Sequence, residues 1–209
     1  MKLDRSFYTR DDVCLIAKEL LGQFLCVENG GLVFKAMIVE TEAYKGPEDK
    51  ASHAYNNRRT KRTSTMFKTG GTSYVYLCYG IHQMMNVVTS NEEQPHAILL
   101  RAAQPMNHIP ILADQFKSRK KSALLLSGPG NLCKGLRITK EYNNLDLVNS
   151  NKIWIESIQN SKSSVFSIVE SPRVGIAYAK EYANEPWRFR IKDHPSVSKP
   201  HEVKYPNYE

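Results

Sequence analysis

Cysteine is sparse in this chain and badly placed for cooperation. Cys14, Cys26, Cys78 and Cys133 lie far apart in apolar contexts, without the CxxC pairs that a zinc ribbon or dithiol redox motif requires, so they are expected to be reduced and mostly buried. The histidines stand in no HExxH or HxE spacing with a second ligand, and no metal or other cofactor is expected. Long apolar runs are missing too. Stretches such as Ala123 to Leu126, or Gly31 to Val39 interrupted by Lys35, are far too short to span a bilayer. The start, Met1-Lys2-Leu3-Asp4-Arg5-Ser6, lacks the apolar region of a secretory signal and the Arg/Ser-rich composition of a transit peptide, so the protein is expected to stay where it is made, without a membrane. Ser127-Gly128-Pro129-Gly130 lacks the Lys-Ser/Thr ending of a triphosphate loop. It reads either as a contact for one phosphate at a helix start or as a plain turn.

What is present begins with charge. Against 21 acidic residues stand 29 Lys and Arg, a net charge of +8 that favours a polyanionic partner. The excess is concentrated in Arg58, Arg59, Lys61 and Arg62 and again in Lys117, Arg119, Lys120 and Lys121, which are either phosphate contacts or solvated faces. At 209 residues, with no repeat, linker or low-complexity segment, one domain is long enough to bury a core without disulfides or a structural metal.

Hydrophobic periodicity places the elements. Thr9 is read as the N-cap of a helix carrying Val13, Ile16, Ala17, Leu20 and Leu21, stopped by Gly22. Phe24 to Val27 and Gly31 to Ala43 read as strands joined through Asn29-Gly30, and the second delivers Glu40, Glu42 and Tyr44. Pro47 followed by Glu48 and Asp49 predicts a helix bearing His53. Tyr74 to Ile81 predicts a hairpin with Tyr79 at an exposed tip beside Gly80. A strand over Ala97 to Ala103 carries Arg101, a helix is expected over His108 to Ala123, another through Leu136, and strands around Trp154 and Trp187 to Ile191. The architecture is α+β: a single domain, residues 1–209, with a curved, mostly antiparallel sheet, surrounding helices and a protruding β-hairpin, and a tail expected to be poorly ordered after about residue 195.

Glu40 and Glu42, two apart on a strand, share a face with their Cα atoms roughly 6 to 7 Å apart. Such a pair can hydrolyse a glycosidic bond, one carboxylate activating water and the other stabilising developing positive charge; the alternative is a solvated strand end. Tyr44, Tyr76 and Tyr79 are candidates for stacking on bases, or for ordinary strand packing. A large aromatic at a turn tip gains little burial but can wedge into a duplex.

The run Val39-Glu40-Thr41-Glu42-Ala43-Tyr44, then Gly46-Pro47-Glu48-Asp49 and His53, resembles the alkyladenine (3-methyladenine) DNA glycosylase family. Met66-Phe67, Tyr74-Val75-Tyr76, Tyr79-Gly80, Met85-Asn86, Leu99-Leu100-Arg101-Ala102, Ser127-Gly128-Pro129, Leu132-Cys133, Arg173-Val174-Gly175 and Trp187-Arg188-Phe189 agree in order, so the resemblance covers nearly the whole chain. It implies that Glu42 deprotonates the attacking water, that Arg101 helps to position water and carboxylate, and that the backbone carbonyl of Ile176 also touches the water. It further implies that Tyr44 and Tyr76 sandwich an extruded base, with His53 packing on it, that Tyr79 intercalates, and that Asn86 disfavours the exocyclic amine of normal guanine. Glu40 falls outside the matched catalytic position. His82 and Gln83 stand where mammalian relatives carry aromatics. The implied activity is base-excision repair: a monofunctional hydrolase of N-glycosyl bonds acting as a monomer on alkylated, and in some members deaminated, purines in double-stranded DNA, inside the cell. The alternatives are a non-catalytic nucleic-acid-binding module and a bifunctional glycosylase/lyase, which would need a pocket lysine of lowered pKa.

Overall fold

The computed structural model of the chain describes residues 1–116, 121–158 and 166–206. It opens with a short helix, α1 (Arg5–Tyr8), capped by Asp4 and closed by Thr9, whose N–H donates to Arg5 O. The core helix α2 (Val13–Glu19) starts at Asp12, whose carboxylate accepts from Leu15 N at 3.0 Å. The cap is therefore Asp12 and not Thr9: a carboxylate directly before the first core residue meets free N–H groups and the positive end of the helix dipole. Strands β1 (Phe24–Asn29) and β2 (Leu32–Lys45) form a hairpin in which Gly30 and Gly31 occupy φ of 63° and 79°, as a type I′ turn demands.

β3 (Ser73–Cys78), β4 (His82–Thr89) and β5 (His96–Pro105) follow. Then come α3 (Ile109–Ala113), α4 (Pro129–Gly135), β6 (Ile153–Glu156), β7 (Ile168–Ser171) and β8 (Arg188–Ile191). These eight strands make one sheet in the order β3-β4-β5-β2-β1-β6, with β8 joining β2 and β7, and every pairing is antiparallel. β2 is its axis. One edge pairs with β5 throughout residues 36–45; the other pairs with β1 up to Met37 and with β8 from Glu40 to Glu42. The handover point of the sheet is thus where the two glutamates sit.

Alternation along β2 sorts its side chains. Thr41 faces α2, its hydroxyl donating to Ala17 O at 2.9 Å within the core built on Ile16, Leu20, Ile38, Leu100 and Phe189. Glu40, Glu42 and Tyr44 take the other face.

Two further expectations need correction. The segment after Gly46 is a series of turns and not a helix, because the Asp49 carboxylate accepts from Ala51 N two residues on and from buried Arg173, which ties the backbone into a local turn. Among the described residues, the helix predicted over His108 to Ala123 is α3, with a 3₁₀ turn at Ser122–Leu124; residues 117–120, with most of the second basic cluster, lie outside them. Beyond Pro195, Ser196, Val197 and Ser198 are buried against the sheet.

Candidate active site

Two compensating irregularities in the β2–β5 ladder shape the site. Ile38 pairs with Ala103 and Glu40 with Ala102, leaving Val39 as the extra residue; Thr41 then pairs with Leu100, leaving Arg101 as the extra residue on β5. A bulged residue escapes the strict in–out alternation and can be re-aimed. Arg101 turns onto the carboxylates: its Nε donates to Glu40 Oε1 at 3.0 Å, and its Nη1 lies 3.2 Å from Glu42 Oε2. Both carboxylates are buried, which removes the solvated-strand-end reading. Glu42 accepts from Val174 N at 2.8 Å and from the Tyr44 hydroxyl at 2.9 Å. Burial pushes the Tyr44 phenol well above its usual range and the Glu42 charge adds to this, so Tyr44 remains a hydroxyl donor. Burial alone would raise Glu40, but Arg101, Arg188 and the Ser198 bonds outweigh it and hold the carboxyl below its ordinary value.

Beside the carboxylates lies an aromatic slot of about 50 Å³, walled by Tyr44, His53, Tyr74, Tyr76, Asn86 and Tyr178 among others. His53 meets Tyr76 edge-on, with ring centroids 4.6 Å apart. His53 Nδ1 is 3.0 Å from the Tyr74 hydroxyl and Nε2 is 3.4 Å from Arg62 Nη2. A guanidinium can only donate, so Nε2 accepts and Nδ1 carries the proton. Burial lowers the His53 pKa to about 4, with Arg62 and Arg58 adding repulsion, and the ring is neutral at physiological pH. Arg62 also covers the Tyr76 ring at 4.7 Å. Asn86, paired with Tyr74 across β3 and β4, donates from Nδ2 to Tyr74 O at 3.1 Å, which fixes its amide at the base of the slot. Ile176 is buried nearby.

The hairpin tip carries Tyr79 and Gly80 at φ of 48° and 71°, and the Tyr79 side chain is 90% exposed. Arg58, Arg59, Lys61 and Arg62 form an exposed basic loop leading to the slot. A larger cavity of about 770 Å³, rimmed by Asp11, Asp12, Glu48 and Glu93, is not a rival for an anionic polymer, since its acids repel phosphate. No helix among the described residues is long and apolar enough to cross a membrane.

A model of the methylpurine-DNA glycosylase family matches residues 6–195. The chain belongs to this family. It is 44% identical over 200 residues to a protein of Natranaerobius thermophilus, an alignment covering 95% of this chain and 99% of the relative. It is 46% identical over 191 residues to one of Chlamydia abortus, covering 90% and 97%. A third relative, from Desulfitobacterium hafniense, is 44% identical over 204 residues, covering 94% and 98%. Each is described, by inference, as a 3-methyladenine DNA glycosylase.

In this member of the methylpurine-DNA glycosylase family, the fold gathers Glu42, Arg101, Tyr44, His53, Tyr76, Asn86 and Ile176 around one centre and sets Tyr79 apart at the hairpin tip. Sequence reasoning missed several neighbours. Tyr74, on the same face of β3 as Tyr76, was signalled by strand alternation. Asp49 and Arg173 form a fully buried bidentate pair, and the guanidinium lies 4.7 Å from the Tyr44 ring. Nothing in the local sequence around Arg173 announces a partner 124 residues away. The same holds for Arg188 and Ser198, which close the shell around Glu40.

Proposed function

We propose that this protein is a monofunctional DNA glycosylase that takes a damaged purine out of the duplex and hydrolyses its N-glycosidic bond, leaving an abasic site. The observation that carries this reading is the junction at Tyr44: its ring walls a narrow aromatic slot while its hydroxyl bonds a buried carboxylate, Glu42. In this reading the base enters the slot between Tyr44 and Tyr76, with His53 against it and Tyr79 filling the gap left in the stack. Glu42 takes a proton from water and its charge faces the oxocarbenium-like sugar, as in glycoside hydrolysis. Arg101 orients that carboxylate, the Ile176 carbonyl helps hold the water, and the anchored Asn86 amide rejects the extra amine of guanine. An alkylated purine is already cationic and leaves without a proton donor, so the burden falls on water activation.

A non-catalytic binding module would account for the basic loop but gives no reason to bury Glu42 beside an aromatic slot. A lyase needs a slot lysine, and none lines it among the described residues. Incubation with methylated duplex DNA tests all three readings. Release of free base with an intact backbone, cleavable by subsequent alkali, is expected. Strand scission without alkali, trapped by borohydride, would establish the lyase, and no base release would establish the binding module.

A further inference from the structure

Glu42 is held by the Tyr44 hydroxyl, by Arg101 from β5 and by the Val174 N–H, and the last two are braced by the same stretch of chain, residues 198–205. On the Arg101 side, Glu40 Oε2 accepts from Ser198 N at 2.7 Å and its Oε1 accepts from the Ser198 hydroxyl at 3.0 Å. Arg188 donates to Glu40 Oε1 at 2.7 Å and reaches the same segment through Ser198 O at 3.1 Å and Pro200 O at 2.8 Å. Arg188 and Glu40 are completely buried and Ser198 is almost so, which makes this a closed unit and not a surface tether. Glu40, locked in this way, holds Arg101 by Nε and leaves Nη1 to meet Glu42. On the Val174 side, the Tyr205 hydroxyl donates to Arg173 O at 2.8 Å and accepts from Ile176 N at 3.1 Å, clamping the loop on both sides of Val174. The family match ends at residue 195, before either anchor.

We infer that the C-terminal segment is a brace of the active site, with Glu40, Ser198 and Tyr205 acting as positioning residues that fix Glu42 through Arg101 and Val174. The brace also divides charge. Around Glu42 stand Arg101, Arg188 on the facing strand β8, Arg173 from the loop, and the Tyr44 hydroxyl; Glu40 neutralises one of these cations. Without the Glu40 charge, Arg101 and Arg188 lose their shared anionic partner, and the geometry that aims Arg101 Nη1 at Glu42 is no longer held. This inference rests on Glu42 being the base.

The test is single-turnover excision of an alkylated purine, with lesion-DNA affinity measured in parallel, for the parent, Glu42→Gln, Glu40→Gln, Ser198→Ala, Ser198→Thr and Tyr205→Phe. Glu40→Gln is expected to lower the rate about 10- to 100-fold, the rate equivalent of a charge-assisted hydrogen bond. Lesion affinity should stay within about threefold, since the brace touches no DNA. Ser198→Ala and Tyr205→Phe should each lower the rate with affinity retained, and Ser198→Thr, which keeps the hydroxyl, should restore it. Parental rates in Ser198→Ala and Tyr205→Phe, or in a folded Glu40→Gln, overturn the brace. If Glu40→Gln does not fold, the Ser198 pair and Tyr205→Phe decide. Undiminished excision by Glu42→Gln would instead sink the catalytic reading beneath it, so the two failures are distinguishable.

Discussion

The Tyr44 hydroxyl donates to Glu42 Oε2 at 2.9 Å, so the ring that walls the slot and the buried carboxylate move as one piece. A base seated against Tyr44 would therefore be registered against the carboxylate. Glu42→Gln keeps the size and a carbonyl for Val174 N but loses the charge and the basicity. Single-turnover excision is expected to fall by about 10² to 10⁴ or more, with lesion binding retained. Tyr44→Phe keeps the ring and loses only the hydrogen bond, and should lower the rate by about tenfold. Near-parental excision by folded Glu42→Gln, measured with enzyme in excess, would remove Glu42 from the chemistry.

Tyr79 gains almost nothing from packing, being 90% exposed on a turn whose φ of 48° already disfavours a bulky residue. Such a side chain is explained by a partner that covers it. Tyr79→Ser should leave thermal stability unchanged within about 0.5 kcal/mol and weaken capture of a lesion duplex. A fluorescent base analogue reports this directly: extrusion by Tyr79→Ser as stable as by the parent would exclude the wedge role.

The strands were legible because alternation and turn chemistry are local. The β1–β2 hairpin is legible in Asn29-Gly30, though its turn residues are Gly30-Gly31, one position on; Tyr79-Gly80 marks the tip of the β3–β4 hairpin, and Glu42 and Tyr44 share a face by period alone. What could not be read depends on register and on contacts between distant segments. The bulge that re-aims Arg101 has no residue signature, and Ser198 meets Glu40 across 158 positions. The helix predicted at Pro47 failed for a related reason. Acids after a proline favour a helix start unless the acid has a better partner, and Asp49 has Arg173. Glu40 was likewise undervalued, since only the fold shows that the residue beside the matched position holds Arg101.

The basic loop sets the salt dependence. Arg59 is paired with Glu93 at 2.5 Å and lies over the Phe67 ring, whereas Arg58 and Lys61 are exposed. If each exposed cation replaces a counterion on a phosphate, the slope of log K against log salt falls by about 0.9 for each one removed. Titrations of undamaged duplex at several salt concentrations should give a slope shallower by nearly two units in a double Arg58→Ala, Lys61→Ala variant. An unchanged slope would free this loop from phosphate contact.

His53 should be neutral throughout the working range. Its folded pKa is lowered to about 4 from 6.5, mainly by burial, so the unfolded chain takes up the proton first. The stability it contributes is complete above pH 6.5 and is lost as pH falls through about 4. Replacing Arg62 with Ala removes a repelling charge and should raise the value, though not to 6.5, because burial remains. An NMR titration of the imidazole nitrogens checks both, and it should also find the proton on Nδ1 in the parent. A His53 titrating near 6.5 in the folded parent would contradict the buried slot.

The Asp49–Arg173 pair should carry more of the stability than any surface pair, and its loss should reach the slot. Both side chains are fully buried, and the guanidinium also donates to Ala43 O at 2.9 Å and Tyr182 O at 3.2 Å, while its Nε has no partner. Asp49→Ala would strand a cation in a medium that cannot solvate it, a change that destabilises by about 3 to 5 kcal/mol. The exposed Arg10–Glu19 pair, at 2.5 Å, looks equivalent on distance alone, yet water screens it and its loss should cost about 0 to 1 kcal/mol. Denaturant unfolding of Asp49→Ala and Glu19→Ala measures the contrast. A second readout follows from geometry: Arg173 stacks 4.7 Å from the Tyr44 ring, so displacement of the guanidinium loosens the wall of the slot. Asp49→Asn preserves the shape but keeps only one acceptor oxygen, its NH2 facing a donor of Arg173, and should fall between Asp49→Ala and the parent in stability while excision declines with it. Equal losses from Asp49→Ala and Glu19→Ala would show that the buried pair contributes no more than a screened one.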